Sequence, residues 1–252
     1  MAQKINEILR GNAYPGRGII LGRSEDNARA VAVYFIMGRS ENSRNRVFEA
    51  TEDGIRTRAF DEAKLTDPSL VIYHPVRALN APNTEVHRVI ITNGDQTDTI
   101  HNDFTKTHGG RGAEHGGFRR ALKSRAFEPD PPILTPRISS VLDPDGGYAL
   151  SILKSADGDA SLCLRQFFEY DKPLAAVGHF IHTYSGGTRP DGSLESFVGE
   201  PKPVAVNLAD GLEVYADEIW NALDADNRVS LYAREVNLET GVTFEVVINK
   251  NK

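Results

Sequence analysis

The sequence predicts one α+β domain over residues 1–252, built mainly from antiparallel strands. Three observations lead to this. Short β-branched and aromatic runs come in pairs joined by turns rich in Asp, Asn and Gly. Helical periodicity is confined to a few segments. Strands and helices also come in blocks rather than alternating as βαβ units, with no internal repeat and no long linker between them.

A short helical pattern covers residues 5–9. Runs 18–21 and 30–37 flank the turn-rich Ser24-Glu25-Asp26-Asn27 and read as a hairpin. Runs 46–51 and 55–60 flank Asp53-Gly54, a second hairpin signal. Residues 70–73 and 86–91 add two more strands. From Asp95 the period becomes helical, with Ile100 and Phe104 at i and i+4, and a second helix runs from Phe118 through Leu122 towards Phe127. The glycine-rich stretch 109–117 separates the two and reads as a mobile lid. Pro129, Pro131 and Pro132 stop the second helix, and strands follow at 138–142, 149–153, 161–168 and 177–183. Residues 185–202, rich in Gly, Ser and Pro, predict an exposed loop. A helix at 212–223 and a hairpin of 228–236 with 242–249 close the chain.

Bulk properties exclude several classes of function. The 252 residues are 40% hydrophobic and carry a net charge of -6, so a large core is affordable and general attraction to nucleic acid or anionic membrane is not expected. Any anion has to be caught by a local arginine cluster. The single cysteine, Cys163, precludes an intramolecular disulfide, and its apolar neighbours predict an inert core thiol. No apolar run reaches the roughly 20 residues of a membrane span, and the polar start lacks the core of a signal peptide, which predicts a cytoplasmic protein.

The most informative stretch is Thr92-Asn93-Gly94-Asp95-Gln96-Thr97-Asp98-Thr99-Ile100, directly after an apolar run. It suits either a well-capped strand-to-helix turn or one wall of a site for a polar ligand. Arg39, Arg44 and Arg46, interleaved with Ser40, Ser43 and Asn45, supply planar cationic donors matched to phosphate, or form a solvated basic strand balanced by Glu41 and Glu49. His101, His108 and His115 recur every seven residues, but the glycines between them break any shared helix. They read as surface histidines and not as a metal site. No cofactor is expected, since dinucleotide and P-loop spacings are absent.

Several short motifs keep a definite order: Tyr14, Gly16 and Arg17; Gly22 and Arg23; Arg39, Ser40, Asn45 and Arg46; Asn93-Gly94 with Thr97-Asp98-Thr99-Ile100; and Thr135-Pro136-Arg137-Ile138. Together they resemble the archaeal-type IMP cyclohydrolase family, from about Tyr14 to Arg234. That resemblance implies a four-layer αββα sandwich of two antiparallel sheets, as in N-terminal nucleophile hydrolases. No N-terminal nucleophile is expected, because the residue after Met1 is Ala2.

The implied activity is dehydrative ring closure of 5-formamidoimidazole-4-carboxamide ribotide to IMP, without a cofactor and with a purine nucleotide as partner; a homo-oligomer is compatible with the sequence. The resemblance makes Tyr73 and Glu128 the catalytic candidates. Arg39 and Arg46, with Arg23 as a third, are candidates for holding the ribose phosphate. Asn45 joins the binding set, and Asn93, Gly94, Thr97 and Asp98 are candidates for positioning the base or ribose. Arg137 reads either as a substrate contact or as a structural partner of Asp98 or Asp130. Tyr73 by itself also reads as a packed strand-end residue. Two rival functions remain, a nucleotide sensor that binds without converting and a self-processing amidase.

Overall fold

A computed structural model describes residues 2–65, 72–81, 84–106, 115–156, 158–189 and 192–251. Two large sheets dominate, and every strand pairing within them is antiparallel. The first is six-stranded. In sheet order it comprises β13 (Lys202–Ala205), β10 (Val177–His182), β1 (Arg17–Arg23), β2 (Arg29–Met37), β14 (Arg228–Asn237) and β15 (Thr243–Asn249). The second is seven-stranded and runs in sequence order: β3 (Arg46–Thr51), β4 (Gly54–Ala59), β5 (Val76–Leu79), β6 (Arg88–Thr92), β7 (Arg137–Leu142), β8 (Tyr148–Ala156) and β9 (Asp159–Tyr170).

The alternation of strand side chains explains how these sheets stack. On β2, Ala30, Ala32, Tyr34 and Ile36 enter one apolar core together with Ile55, Val76, Ile91, Ile138 and Leu150 of the other sheet. The intervening Val31, Val33, Phe35 and Met37 face the opposite way, onto α1 (Ile5–Arg10) and α5 (Leu212–Ala222). In α5, Leu212, Tyr215, Ala216 and Ile219 form the buried helical stripe that receives them. Beyond the second sheet, Ile90, Val141 and Leu153 pack against Ile100 and Phe104 of α3 (Gln96–Lys106) and Phe118 of α4 (His115–Ala121). The order is therefore helices, sheet, sheet, helices. Burying one such large apolar side chain stabilises the fold by roughly 1.5–3 kcal/mol.

The expected α+β architecture is present, with local departures. Of the strand expected at 70–73, residues 70–71 lie outside the described residues, and Ile72 and Tyr73 are not in a strand. The Tyr73 backbone is held instead by Thr57. Its N–H donates to Thr57 Oγ1 at 3.0 Å, and its carbonyl accepts from the Thr57 N–H at 2.9 Å. The strand comes just after Pro75, as β5, whose pattern of alternate burial was too short to stand out. The expected loop 185–202 holds a small hairpin of β11 (Tyr184–Thr188) and β12 (Leu194–Ser196); Gly186 and Gly187 disguise its strand character. A one-turn helix α2 (Glu41–Arg44), closed by a reciprocal Ser40/Ser43 capping box, interrupts the arginine-rich segment. Cys163 is a free thiol on the edge strand β9; it packs on the margin of the core that Ile100, Phe104 and Phe118 share with the second sheet, and is only half-buried because no further strand covers β9.

His108 and residues 109–114 of the glycine-rich stretch lie outside the described residues. Among the described residues no group of His, Cys, Asp or Glu is arranged to hold a metal, and no helix is long and apolar enough to cross a membrane.

Candidate functional site

A cavity of about 330 Å³ opens where several separate pieces of chain converge. They are Tyr14 and Arg17 entering β1, the Arg39–Arg46 turn between β2 and β3, Tyr73 with the Asn93-Gly94-Asp95 turn after β6, and the Glu128–Arg137 segment before β7, with Tyr184 closing one side. The size falls in the range of small-molecule sites, roughly 300–1,000 Å³.

One end is cationic. Arg46 begins β3 and is almost wholly buried, at 2% exposure; its Nε donates to the Ser43 carbonyl at 2.9 Å, while Nη2 is buried without a hydrogen-bond partner. Arg17 lies beside it, also with a buried and unpartnered Nε. Burial, and secondarily the charge of Arg17, push Arg46 down to about 10, so it stays cationic at neutral pH. Burial also works against the Arg17 cation, but the phenol oxygens of Tyr14, Tyr73, Tyr184 and Tyr34 outweigh it and hold the proton more tightly than in a free arginine. Arg39, exposed at the rim, sits over the Tyr14 ring at 5.1 Å. Among the described residues no carboxylate forms an ion pair with any of these three arginines. Like charges this close, one buried and one half-buried, repel where no counter-ion stands between them, and an anion placed there would relieve the repulsion.

The other end is carboxylate-rich. Arg137 begins β7 and reaches across the turn to pair with Glu128 Oε2 at 2.6 Å and Asp95 Oδ1 at 2.9 Å, and donates to Gln96 Oε1 at 2.5 Å. Asp95 also takes Arg125. Burial raises the Glu128 carboxyl above its ordinary value, and Asp130 adds to this, while Arg137 and Arg17 oppose it. Asp130 accepts from the Thr135 N–H at 2.7 Å and its hydroxyl at 2.6 Å. That hydroxyl, its one proton given to Asp130, accepts from Tyr184 OH at 2.9 Å. Between the two ends stands Tyr73, 8% exposed, with its hydroxyl 3.1 Å from that of buried Tyr34.

The cavity thus brings together seven of the residues singled out from sequence: Arg39, Arg46, Tyr73, Asn93, Gly94, Glu128 and Arg137. Within this set Asn93 is largely occupied by the scaffold. Its Oδ1 accepts from the Ile138 N–H at 2.9 Å and its Nδ2 donates to the Pro136 carbonyl at 2.9 Å, which clamps the turn to the start of β7. Arg137 pairs with Glu128 and Asp95, and not with Asp98 or Asp130 as its neighbours in sequence suggested.

Four candidates stand away from the cavity. Arg23 ends β1, where the strand has carried it beyond the site, and donates to the carbonyls of Asn27 and Asp145. The Asn45 side chain ties Asp61 through its backbone N–H and carbonyl. Thr97 is fully buried, sharing a 2.6 Å hydrogen bond with Thr92, and Asp98 faces outward to Arg77 at 3.1 Å. In each case the side chain is consumed by local structure. Sequence reasoning gave no role to Tyr14 and Arg17, although both stood in the first motif, and missed Tyr184, whose position at the edge of an expected loop carried no signal.

The fold and cavity define an α+β sandwich with an arginine-rich cavity walled by tyrosines. The chain belongs to the IMP cyclohydrolase-like protein family, whose model matches residues 14–240. Searches of curated proteins and of solved structures returned no match.

Proposed function

We propose that this chain is an IMP cyclohydrolase, closing the ring of 5-formamidoimidazole-4-carboxamide ribotide to IMP and running the reverse hydrolysis. The observation that carries this reading is the polarity of the cavity. An arginine pair without a carboxylate partner lies at one end, a half-buried carboxyl of raised pKa at the other, and a phenol between them. A nucleotide monophosphate has the same polarity, with a dianion at one end and a neutral heterocycle at the other.

The carboxamide nitrogen attacks the formyl carbon of the same molecule. A C–N bond forms as the carboxamide nitrogen gives up one proton and the formyl oxygen becomes a hydroxyl; that hydroxyl then leaves as water with a second proton, from the formamido N–H, as a C=N bond replaces the C–O bond. Both reacting groups are already tethered, so catalysis rests on holding the reactive rotamer, moving protons and stabilising charge on the oxygen. Arg46 and Arg39 hold the phosphate, with Arg17 taking the place the sequence offered to Arg23. Glu128, poised by Arg137, accepts the amide proton and returns it to the departing oxygen. Tyr73 donates to that oxygen. Asn93 and Gly94 act by shaping the wall on which Arg137 lies.

The direct test is incubation of the purified chain with the formamido ribotide. IMP should appear at a rate far above the spontaneous reaction, and nucleotide binding without turnover would reject the assignment in favour of a sensor.

A further inference from the structure

Tyr73 is backed by a second phenol, Tyr34, and the two hydroxyls stand 3.1 Å apart. They come from opposite sides of the sandwich. Tyr34 lies on β2, opposite Ile19 of β1 and Tyr232 of β14, and is fully buried. Its ring stacks on Phe48 of β3 at 5.7 Å, and Phe48 is fixed in turn by Asn249, whose side chain accepts from the Phe48 N–H at 2.8 Å and donates to its carbonyl at 3.0 Å. Tyr73 is held from the other side, where Thr57 of β4 clamps its backbone N–H and carbonyl. Phenols supported in this way keep their hydroxyls in one place.

The direction of the hydrogen bond between them follows from counting donors and acceptors. Each phenol has one proton to give. The Tyr34 hydroxyl has one hydrogen-bond partner among the described residues, Tyr73. The charged groups near it, Arg17 and Arg46, are donors only and cannot take a proton. Burial, and after it the Tyr73 oxygen, holds the Tyr34 phenol well above its ordinary range, so it stays protonated. With Tyr73 as the donor, the Tyr34 proton would be buried without an acceptor, which is the costlier arrangement. Tyr34 therefore donates and the Tyr73 oxygen accepts. The Tyr73 proton is left to point into the cavity that Tyr73 lines.

We propose that Tyr34 is a positioning residue for the reaction: it fixes Tyr73 as a donor that faces the ligand. Accepting the Tyr34 proton also polarises the Tyr73 O–H and strengthens it as a donor to the formyl oxygen. This catalytic consequence rests on the ring-closing reading above, whereas the direction of the proton does not.

NMR of the full chain, isotope-labelled at tyrosine Cζ, tests the direction in mixed light and heavy water, where a slowly exchanging hydroxyl splits its Cζ signal. The Tyr34 signal, identified by its loss in Tyr34→Phe, should be split, and the Tyr73 signal, lost in Tyr73→Phe, should be single. A single Tyr34 signal or a split Tyr73 signal overturns the proposal. Kinetics then separate positioning from structure. Tyr34→Phe, which keeps the ring, should lower kcat about tenfold while KM stays within about twofold of the parent. In a Tyr73→Phe background the same substitution should lower kcat no further, because the proton it orients is gone. Parent-like kcat in Tyr34→Phe, or losses that multiply in the double variant, overturn the proposal. A parent without turnover would reject the ring-closing reading alone, and the labelling result would still decide the direction of the proton.

Discussion

Arg137 lies directly against Gly94: a Cβ on residue 94 would stand 2.0 Å from Arg137 Nη1 and 2.7 Å from Gln96 Oε1. The missing side chain is the space through which Arg137 reaches Glu128 and Asp95. Gly94 has no unusual backbone angle, so its value here is room and not conformational freedom. Gly94→Ala should therefore move a flexible guanidinium rather than break the fold. We expect a small loss of stability, within about 1 kcal/mol, with turnover reduced at least tenfold as Glu128 loses its partner. Thermal denaturation alongside steady-state kinetics checks this; unchanged turnover would remove Arg137 from the mechanism.

The Glu128 carboxyl, raised chiefly by burial, gives a pH dependence with a definite sign. As the base it works ionised, so activity should fall as pH drops through a value above that of an ordinary glutamate. In Glu128→Gln that acidic limb should vanish, with turnover down by roughly a hundredfold or more and IMP binding nearly intact. Tyr73→Phe should lose turnover similarly but keep the limb. The raised value also bears on stability. The protonated form is favoured in the fold, so this group's contribution is fully present below the unfolded value and is lost as pH rises through the folded one. Glu128→Gln should be no less stable than the parent at neutral pH, as denaturant titration will show.

The arginine pair separates charge from shape. Arg46→Ala should weaken IMP binding by at least tenfold, but it also empties a buried volume, so it is best read beside Arg17→Lys. That variant keeps the charge and loses the planar fork. A drop in IMP affinity with little change in melting temperature supports phosphate recognition by Arg17, and equal affinity in both variants and the parent removes the phosphate claim.

His182 supplies an acid switch on stability. Burial is the main cause that holds its imidazole down to about 4, against the pull of the Tyr184 carbonyl. A depressed folded value contributes stability above the unfolded value, near 6.5, that is lost as pH falls from there towards 4. The loss is on the order of 3 kcal/mol at most. Half-buried His179, also held down to about 4 by desolvation, adds in the same direction. The fall in melting temperature between pH 6.5 and 4 should shrink in His182→Gln; an identical fall in both proteins would show that the histidine carries none of it.

Much of the fold was legible because β-branched runs between Asp, Asn and Gly turns specify antiparallel hairpins locally. Both outer hairpins, the helix pair after Asp95 and the α5 stripe needed no distant partner to be read. The β5 strand and the β11–β12 hairpin were hidden because four alternating residues after a proline, and a strand holding two adjacent glycines, carry too little local signal. At the site the family motifs pointed to the right neighbourhoods but not to every side chain. Arg23, Asn45, Thr97 and Asp98 sit within true motifs, yet their side chains are taken up by neighbouring backbone and side chains. Tyr184, with no motif of its own, closes the cavity.

What the sequence by itself determined is the class of fold, the family and the segments that converge. Those depend on spacing and residue type, which are local. Which arginine is left without a counter-ion, which carboxyl is raised, and that Arg137 lies across Gly94 were decided only by tertiary structure. Burial, desolvation and charge pairing depend on the distance between residues far apart in the chain, and spacing along the chain does not contain that distance.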